Sequence, residues 1–491
     1  MKFKFLSILL GSMILFSNSS LQASPWIGTN NPSLHNDLKT LLDHGYLSGV
    51  SMSYPLPWQD IAGQLKSINV KQEHQAAQVA LYRLQKALKL RERYHNQLSI
   101  RGATNAPRFT NFESNQRSEK EINFRTRFET NDLAGQLSVT KESGEGSNES
   151  EDTHFTGSYL AYRIGPWHLS VNALEQWWGP AESTSFIMTN NARAVPSLAI
   201  TTSRPFVDEE SWFGFLGPWY LSAQLGQLET ERYVPDAKLW KTRFNFKPFE
   251  QLEVGLSWAA MWGGEGYGNS FSDFIDVITF RAVCVDGSDN CDEELHTKPG
   301  NHLAGVDLKY TFNLFDRPTN FYVHTIGEDA KDFYMITDRV YLFGLSTYIG
   351  ESKFYIETSD TTVSCGSATT TTNNCFYEHA DYRSGYRYFN RSLGSTFDSD
   401  AFVTSIGMKK PFINGDELFL QLDIAELNKD EEEPSPVIRG NSEDLIRLSG
   451  SYLTNFNQWQ LKVGGVIESS ENELGEDVAE NYLFLDLTYK F

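Results

Sequence analysis

The chain is poor in what several common function classes require. Beyond its first 23 residues it has no run of the ~18 apolar residues that a membrane-spanning helix needs, which excludes a helical membrane protein. Basic residues are the minority, 42 Lys and Arg against 63 Asp and Glu for a net charge of −21. That balance argues against a nucleic-acid partner, because phosphate backbones are bound by basic footprints. No HExxH, no GxSxG and no His, Cys and Asp at metal-ligand spacing occur, so the expectation is a non-enzymatic chain with no cofactor and no metal. Carboxylate pairs such as Glu175 with Glu182 or Glu265 with Asp273 have the residue types of a glycosidase, but any chain with acidic loops offers them.

Cysteine is scarce too, and its placement is informative. The four cysteines form two local pairs, Cys284 with Cys291 and Cys365 with Cys375, each inside a polar stretch. In an oxidising compartment these read as two short-loop disulfides; zinc is the lesser alternative, since no His lies at ligand spacing within either pair.

What is present begins with Lys2 and Lys4, the apolar stretch LSILLGSMILF and a small residue, Ala23, which together read as a secretory signal peptide over residues 1–23. Residues 24–97 then carry helical spacing: Leu34, Leu38, Leu41 and Leu42 on one face, and Ala77, Leu81, Leu84 and Leu88 on another. Its basic face, with Lys86, Lys89, Arg91 and Arg93, suits either a solvated helix or a periplasmic partner.

From residue 98 to 491 the period becomes two. Eight hairpins, a first strand near Leu98–Ala103 and a last one, YLFLDLTYKF, predict about 18 antiparallel strands. WFGFL is paired with WYLSAQLGQL in this reading. Hairpin turns are short, whereas 176–209, 263–300, 361–399 and 428–441 are long. Successive connections of an antiparallel barrel lie at opposite ends, so the pattern predicts an outer-membrane β-barrel with periplasmic turns, extracellular loops and a periplasmic helical module. GPW at 165–167 and 217–219, and Phe491 at the end of the last strand, place aromatics at a lipid interface. A soluble sandwich is the alternative, although about 18 strands with one-sided loops would be unusual for one.

Three loop motifs carry binding chemistry. Trp177 and Trp178 in EQWWGP would face opposite sides of a wall strand, one toward lipid and the other inward, where its ring stacks on sugar or packs a loop. Trp262 and Glu265 in MWGGEG repeat the situation, with a carboxylate to accept hydroxyl hydrogen bonds or simply to meet solvent. YRSGYRYFNRSL interleaves Tyr382, Tyr386 and Tyr388 with Arg383, Arg387 and Arg391, which suits an acidic polysaccharide or else neutralises acidic loops such as NKDEEEP at 428–434.

EQWWGP (175–180), GPWYLSAQLGQLE (217–229), VPDAKLWKTRFNFKPFEQLEVGLS (234–257), MWGGEG (261–266) and PGNHLAGVDLKY (299–310), in this order, resemble the Wzi family of outer-membrane capsule assembly proteins. The resemblance implies an 18-stranded barrel with a periplasmic helical module, loops folded over the mouth, and lectin-like binding of capsular or exopolysaccharide without catalysis. Implied partners are surface polysaccharide, outer-membrane lipid and periplasmic export machinery. The two cysteine pairs and SCGSATTTTNNC depart from the family pattern. The rival functions are a channel for polysaccharide or small solutes and a loop-borne enzyme.

Overall fold

The computed structural model describes residues 26–491 apart from 29–30, 115, 147–151, 208–212, 280–299, 329, 332–334, 337, 368–369, 374 and 432–434. The expected signal peptide, Cys284 and Cys291 lie outside the described residues.

Alternating sequence becomes a closed antiparallel barrel with 18 wall strands among the described residues. The first half comprises β1 (Asn96–Ala103), β2 (Ser118–Glu129), β3 (Leu133–Gly146), β4 (Tyr159–Ile164), β5 (Trp167–Asn172), β6 (Ser197–Thr202), β7 (Trp219–Gln227), β8 (Lys238–Phe249) and β9 (Leu252–Trp262). The second comprises β10 (Gly300–Leu314), β11 (Arg317–Gly327), β12 (Arg339–Ile349), β13 (Ser352–Asp360), β14 (Ala401–Pro411), β15 (Glu417–Leu427), β16 (Glu443–Phe456), β17 (Trp459–Asn472) and β18 (Tyr482–Lys490). β18 pairs with β1, and Asn96 and Phe491 exchange backbone hydrogen bonds of 2.9 and 3.0 Å at the seam.

β12 shows why the wall forms. Tyr341, Phe343 and Leu345 are exposed on the outside, while Val340, Leu342, Ser346 and Tyr348 are buried inside. The same apolar, outward-facing set recurs on strands around the barrel, as at Ile122, Leu308, Ile356, Ile424 and Ile467. A continuous apolar outer band with a polar interior is the surface a lipid-embedded barrel presents.

One strand differs from the sequence expectation. β7 pairs with β6, Ser197–Thr202, inside a stretch read as loop, and not with WFGFL. Gly214–Leu216 is instead a 3-10 turn, and Trp212 lies outside the described residues. β6 is only six residues long, so its alternation of Leu198 and Ile200 is a weak signal beside an aromatic-rich run. The 203–218 connection lies on the short-turn rim, where Phe206 stacks on Trp219 at 4.6 Å and 16°.

The helices fill the lumen. α1 (Pro32–Asp43) begins with a proline and is capped by Asn31, whose side chain accepts from Leu34 N at 3.1 Å. It packs Leu38, Leu41 and Leu42 against Ala77, Ala80 and Leu84 of α3 (Gln75–Arg93), with Trp58 of α2 (Trp58–Gln64) in the same core. Inward wall side chains then grip the module. Arg83 pairs with Asp37 and with Glu417 of β15 (2.8 and 2.6 Å), and Lys86 donates to Asn414 O in a short turn. Glu253 of β9 accepts from the amides of Ser51 and Met52 at 2.6 and 3.0 Å.

Candidate functional site: the capped mouth

After β5 the chain leaves the wall and turns into the barrel. Trp177–Trp178 is a two-residue strand paired with Ser53–Tyr54 of the helical module, so the two rings point to two interior cores and neither reaches the lipid face. Trp177 packs on Phe112 in the module's core and donates its indole N–H to Ala181 O at 3.1 Å. Trp178 joins Phe186, Ile187, Tyr377 and Tyr386 in the core of the loop cap. Both are 1% exposed, so the wall-strand placement expected for EQWWGP gives way to an inward fold.

That inward segment is held by charge. Glu182 contacts Lys39 of α1, Lys353 of β13 and Lys409 of β14 at 2.6, 2.8 and 2.8 Å. Burial alone would raise its pKa, but the three ammonium groups hold it well below the usual carboxylate range. Asp43, paired with Lys309 at 2.9 Å, is likewise lowered against its burial. Lys39 is drawn down to about 8, burial outweighing the pull of Glu182. Glu357 of β13 accepts from the amides of Glu182 and Ser183 at 2.7 and 2.9 Å, as Glu253 does for the module. Two wall carboxylates thus clamp the two segments that enter the lumen.

The Tyr/Arg segment serves the cap from within. Tyr382 donates to Gly263 O at 3.1 Å and Tyr386 to Ile187 O at 2.9 Å. Arg387 is bidentate on Asp398 (2.7 and 3.0 Å) and pairs with Glu378, which keep its guanidinium charged despite burial. Arg391 donates to Arg108 O and Pro107 O. Tyr388 packs edge-on against Phe389. These five are buried, and Arg387 meets carboxylates of its own loop where neutralisation of 428–434 was the alternative expectation.

Trp262 belongs to another surface. It lies on the outward parity of β9 with Trp258 and Leu256, and α4 (Phe271–Ile278) folds over it, Phe274 being 5.5 Å from its ring. The helix begins with a capping box between Ser270 and Asp273.

Of the ten binding residues expected from sequence, Glu265 and Arg383 are exposed on the cap. They neighbour two tyrosines that the sequence reading passed over. The Arg383 guanidinium lies 4.8 Å above the exposed Tyr233 ring, and Tyr233 N donates to Ser384 Oγ at 2.8 Å. Tyr267 donates to Asp381 at 3.2 Å, and burial together with Asp381 raises its pKa. Gly264 has φ +105°, and a Cβ there would meet Val234 and Pro235 O at 2.6 and 3.0 Å, so only glycine lets the 263–269 loop lie against the 228–237 loop. Glu265 N completes the join with a 2.8 Å bond to Pro235 O. Tyr233 stands in a short Arg-Tyr-Val-Pro-Asp connection, whose one warning signal was a large aromatic beside a turn proline.

Among the described residues no group of three or more His, Cys, Asp or Glu is placed to hold a metal ion, and no cysteine is a free thiol. The hairpin of 364–367 with 370–373 sets Cys365 opposite Thr372.

A family model described as capsule assembly protein Wzi matches residues 89–482. An uncharacterised 55.8 kDa protein from the cps region of Klebsiella pneumoniae is 29% identical over 339 residues, which is 68% of this chain and 64% of that protein, a little under two thirds of the relative's own length. A solved structure of Wzi, described as an outer membrane protein involved in group 1 capsule assembly in Escherichia coli and a carbohydrate-binding β-barrel, superposes with a TM-score of 0.81 at 22% identity. It covers 95% of this chain and all of that one, a likeness of fold.

Proposed function

The chain belongs to the Wzi capsule assembly family, and from that premise we propose that it is a non-enzymatic outer-membrane protein that binds capsular or exopolysaccharide at the cell surface and aids capsule assembly and attachment. The observation that carries the reading is the outward patch of Tyr233, Glu265, Tyr267, Asp381 and Arg383 on a mouth where Trp178, Tyr377, Tyr382 and Tyr386 are consumed in packing. Tyrosine faces stack on sugar rings, carboxylates accept hydroxyls, and a guanidinium binds an acidic group. Each contact is weak, so retention rests on a repeating polymer engaging many protein copies.

In this reading the long loops face outward, while both termini, the short turns and the helical module face the periplasm, as an even-stranded barrel requires. The apolar band meets outer-membrane lipid. Lys89 and Arg93, exposed at the end of α3, are the contact offered to periplasmic export machinery. Disulfides at Cys284–Cys291 and Cys365–Cys375 would brace two outer loops.

The test is cell-associated glycan. Tyr233→Ala with Arg383→Ala should release polymer to the medium while leaving thermal stability within about 0.5 kcal/mol, as exposed positions do. Trp178→Ala should lower stability by about 3–5 kcal/mol through its cavity. Unchanged retention in the double variant, with the protein present at the surface, would sink the reading.

A further inference from the structure

We propose that the barrel holds a second binding site, a basic cavity that admits a carboxylate-bearing oligosaccharide from the short-turn rim. The site shares no residue with the outward patch and rests on its own observations.

The cavity lies between the helical module and the wall formed by β18, β1, β2 and β3, with a volume of about 530 Å³. That is the size range of small-molecule sites and fits a few sugar rings. Exposed His95, Asn457 and Trp459 line its outer end. Its inner end is lined by the buried Arg117, Glu175 and Arg193, where Arg117 pairs with Glu175 at 2.9 Å and donates to the 190–192 carbonyls. It is therefore a blind pocket beneath the cap.

Its charge is opposite to that of the chain. Nine Arg and Lys side chains line it, against three carboxylates, Asp37, Glu121 and Glu175; Glu417, Asp486, Glu142 and Glu129, outside the lining, pair with Arg83, Arg101, Arg193 and the Arg91/Arg127 pair, and basic groups still outnumber the acids. The register places Lys490 of β18, Gln97 of β1 and Arg125 of β2 in one row across the wall, with Arg127 two residues nearer the rim on the same face. Arg127 also donates to Arg91 O and Tyr94 O at the end of α3, and an anion that enters the cavity is drawn by the surplus of basic groups on this face. Guanidinium groups match a carboxylate with paired hydrogen bonds.

Two further features point to a sugar as the carrier of the anion. Tyr94 and Trp459 supply open aromatic surface among the charges, while Trp26, Trp58 and Tyr159 are buried in the lining. Trp58 is 1% exposed, and its Nε1 has no hydrogen-bond partner among the described residues. A buried donor left unpaired is costly, and a small turn of the ring toward the cavity would bring it to a hydroxyl or carboxylate oxygen of a ligand.

The experiment uses the full-length protein in detergent, in a Tyr233→Ala/Arg383→Ala background that silences the outward patch. Isothermal titration is run with trigalacturonate, maltotriose and inorganic phosphate. The expected result is that trigalacturonate binds at least about tenfold more tightly than either control, and that adding Arg125→Gln and Arg127→Gln weakens it about tenfold. Lys490→Gln, a milder change at the same row, should weaken it several-fold and serves if the arginine pair prevents folding. Absence of trigalacturonate binding at millimolar ligand, equal binding of phosphate or maltotriose, or indifference to the Arg and Lys substitutions would each overturn the proposal. Glycan loss from cells with intact binding here would instead indict the outward patch alone.

Discussion

On the β9–β14 side of the lumen, the wall's Lys309, Lys353 and Lys409 reach carboxylates carried in by the inserted segments, whereas Lys490, Arg125 and Arg127 on the opposite side border open space. The same residue chemistry thus has two uses inside one barrel. Where Asp43 and Glu182 meet the lysines, buried charge fixes the position of the plug and the cap. On the other side Arg127 meets the end of α3 through Arg91 O and Tyr94 O, and its row of part-buried basic groups faces the cavity. The difference teaches that inward basic residues do not by themselves mark a passage or a site; what arrives opposite them decides.

The strongest way to break the contrast is Glu182→Gln. It leaves Lys39 without its close carboxylate and Lys353 and Lys409 with Asp43 and Glu113 alone, and removing one partner of such a buried pair costs about 3–5 kcal/mol. A drop of several degrees in the thermal transition in detergent, with brief openings in planar-bilayer recordings where the parent is closed, is the expected outcome. Robust, steady conductance of the unaltered protein would favour the channel reading.

Acid should reach the same side by titration. Glu182 has a folded-state pKa below its unfolded value, so its stabilisation is in place above about pH 4.5. It is lost as pH falls through the depressed folded value, and Asp43 adds in the same direction. Near-UV circular dichroism should therefore report loosening of the plug below pH 4.5, and Glu182→Gln should flatten that transition.

A smaller effect separates cap mortar from outward patch. Tyr386→Phe deletes the donor to Ile187 O and should cost about 1–2 kcal/mol by thermal shift, without altering glycan retention at growth temperature. Smallest of all, Lys490→Gln on the open side should shift stability by no more than about 0.5 kcal/mol. A loss as large as that of Glu182→Gln would erase the distinction between the two sides.

Much of the wall was legible because lipid and lumen impose a strict period of two, and the alternation of short and long connections supplied the topology. β6 escaped because six residues carry too little pattern. The site was less legible for a different reason. Trp177, Trp178, Tyr382, Tyr386 and Arg387 have the chemistry of a glycan surface, yet loop residues that close a wide mouth need the same large, hydrogen-bonding side chains for packing. Which of them turn outward depends on contacts between loops far apart in the chain, such as Gly264 against Val234 or Tyr386 against Ile187. The basic cavity was invisible for the same reason: its lining comes from residues 26 to 490, scattered singly through a chain of opposite charge.

The seam between β18 and β1 has a consequence for how the molecule comes into being. The module precedes the first wall strand, and its anchors at Arg243, Glu253, Lys309 and Glu417 all come before the residues 482 to 490 that the seam needs. The plug can therefore be seated on an open, curved sheet before the last strand is available, and the wall then zipped shut around it like a cask built about its contents.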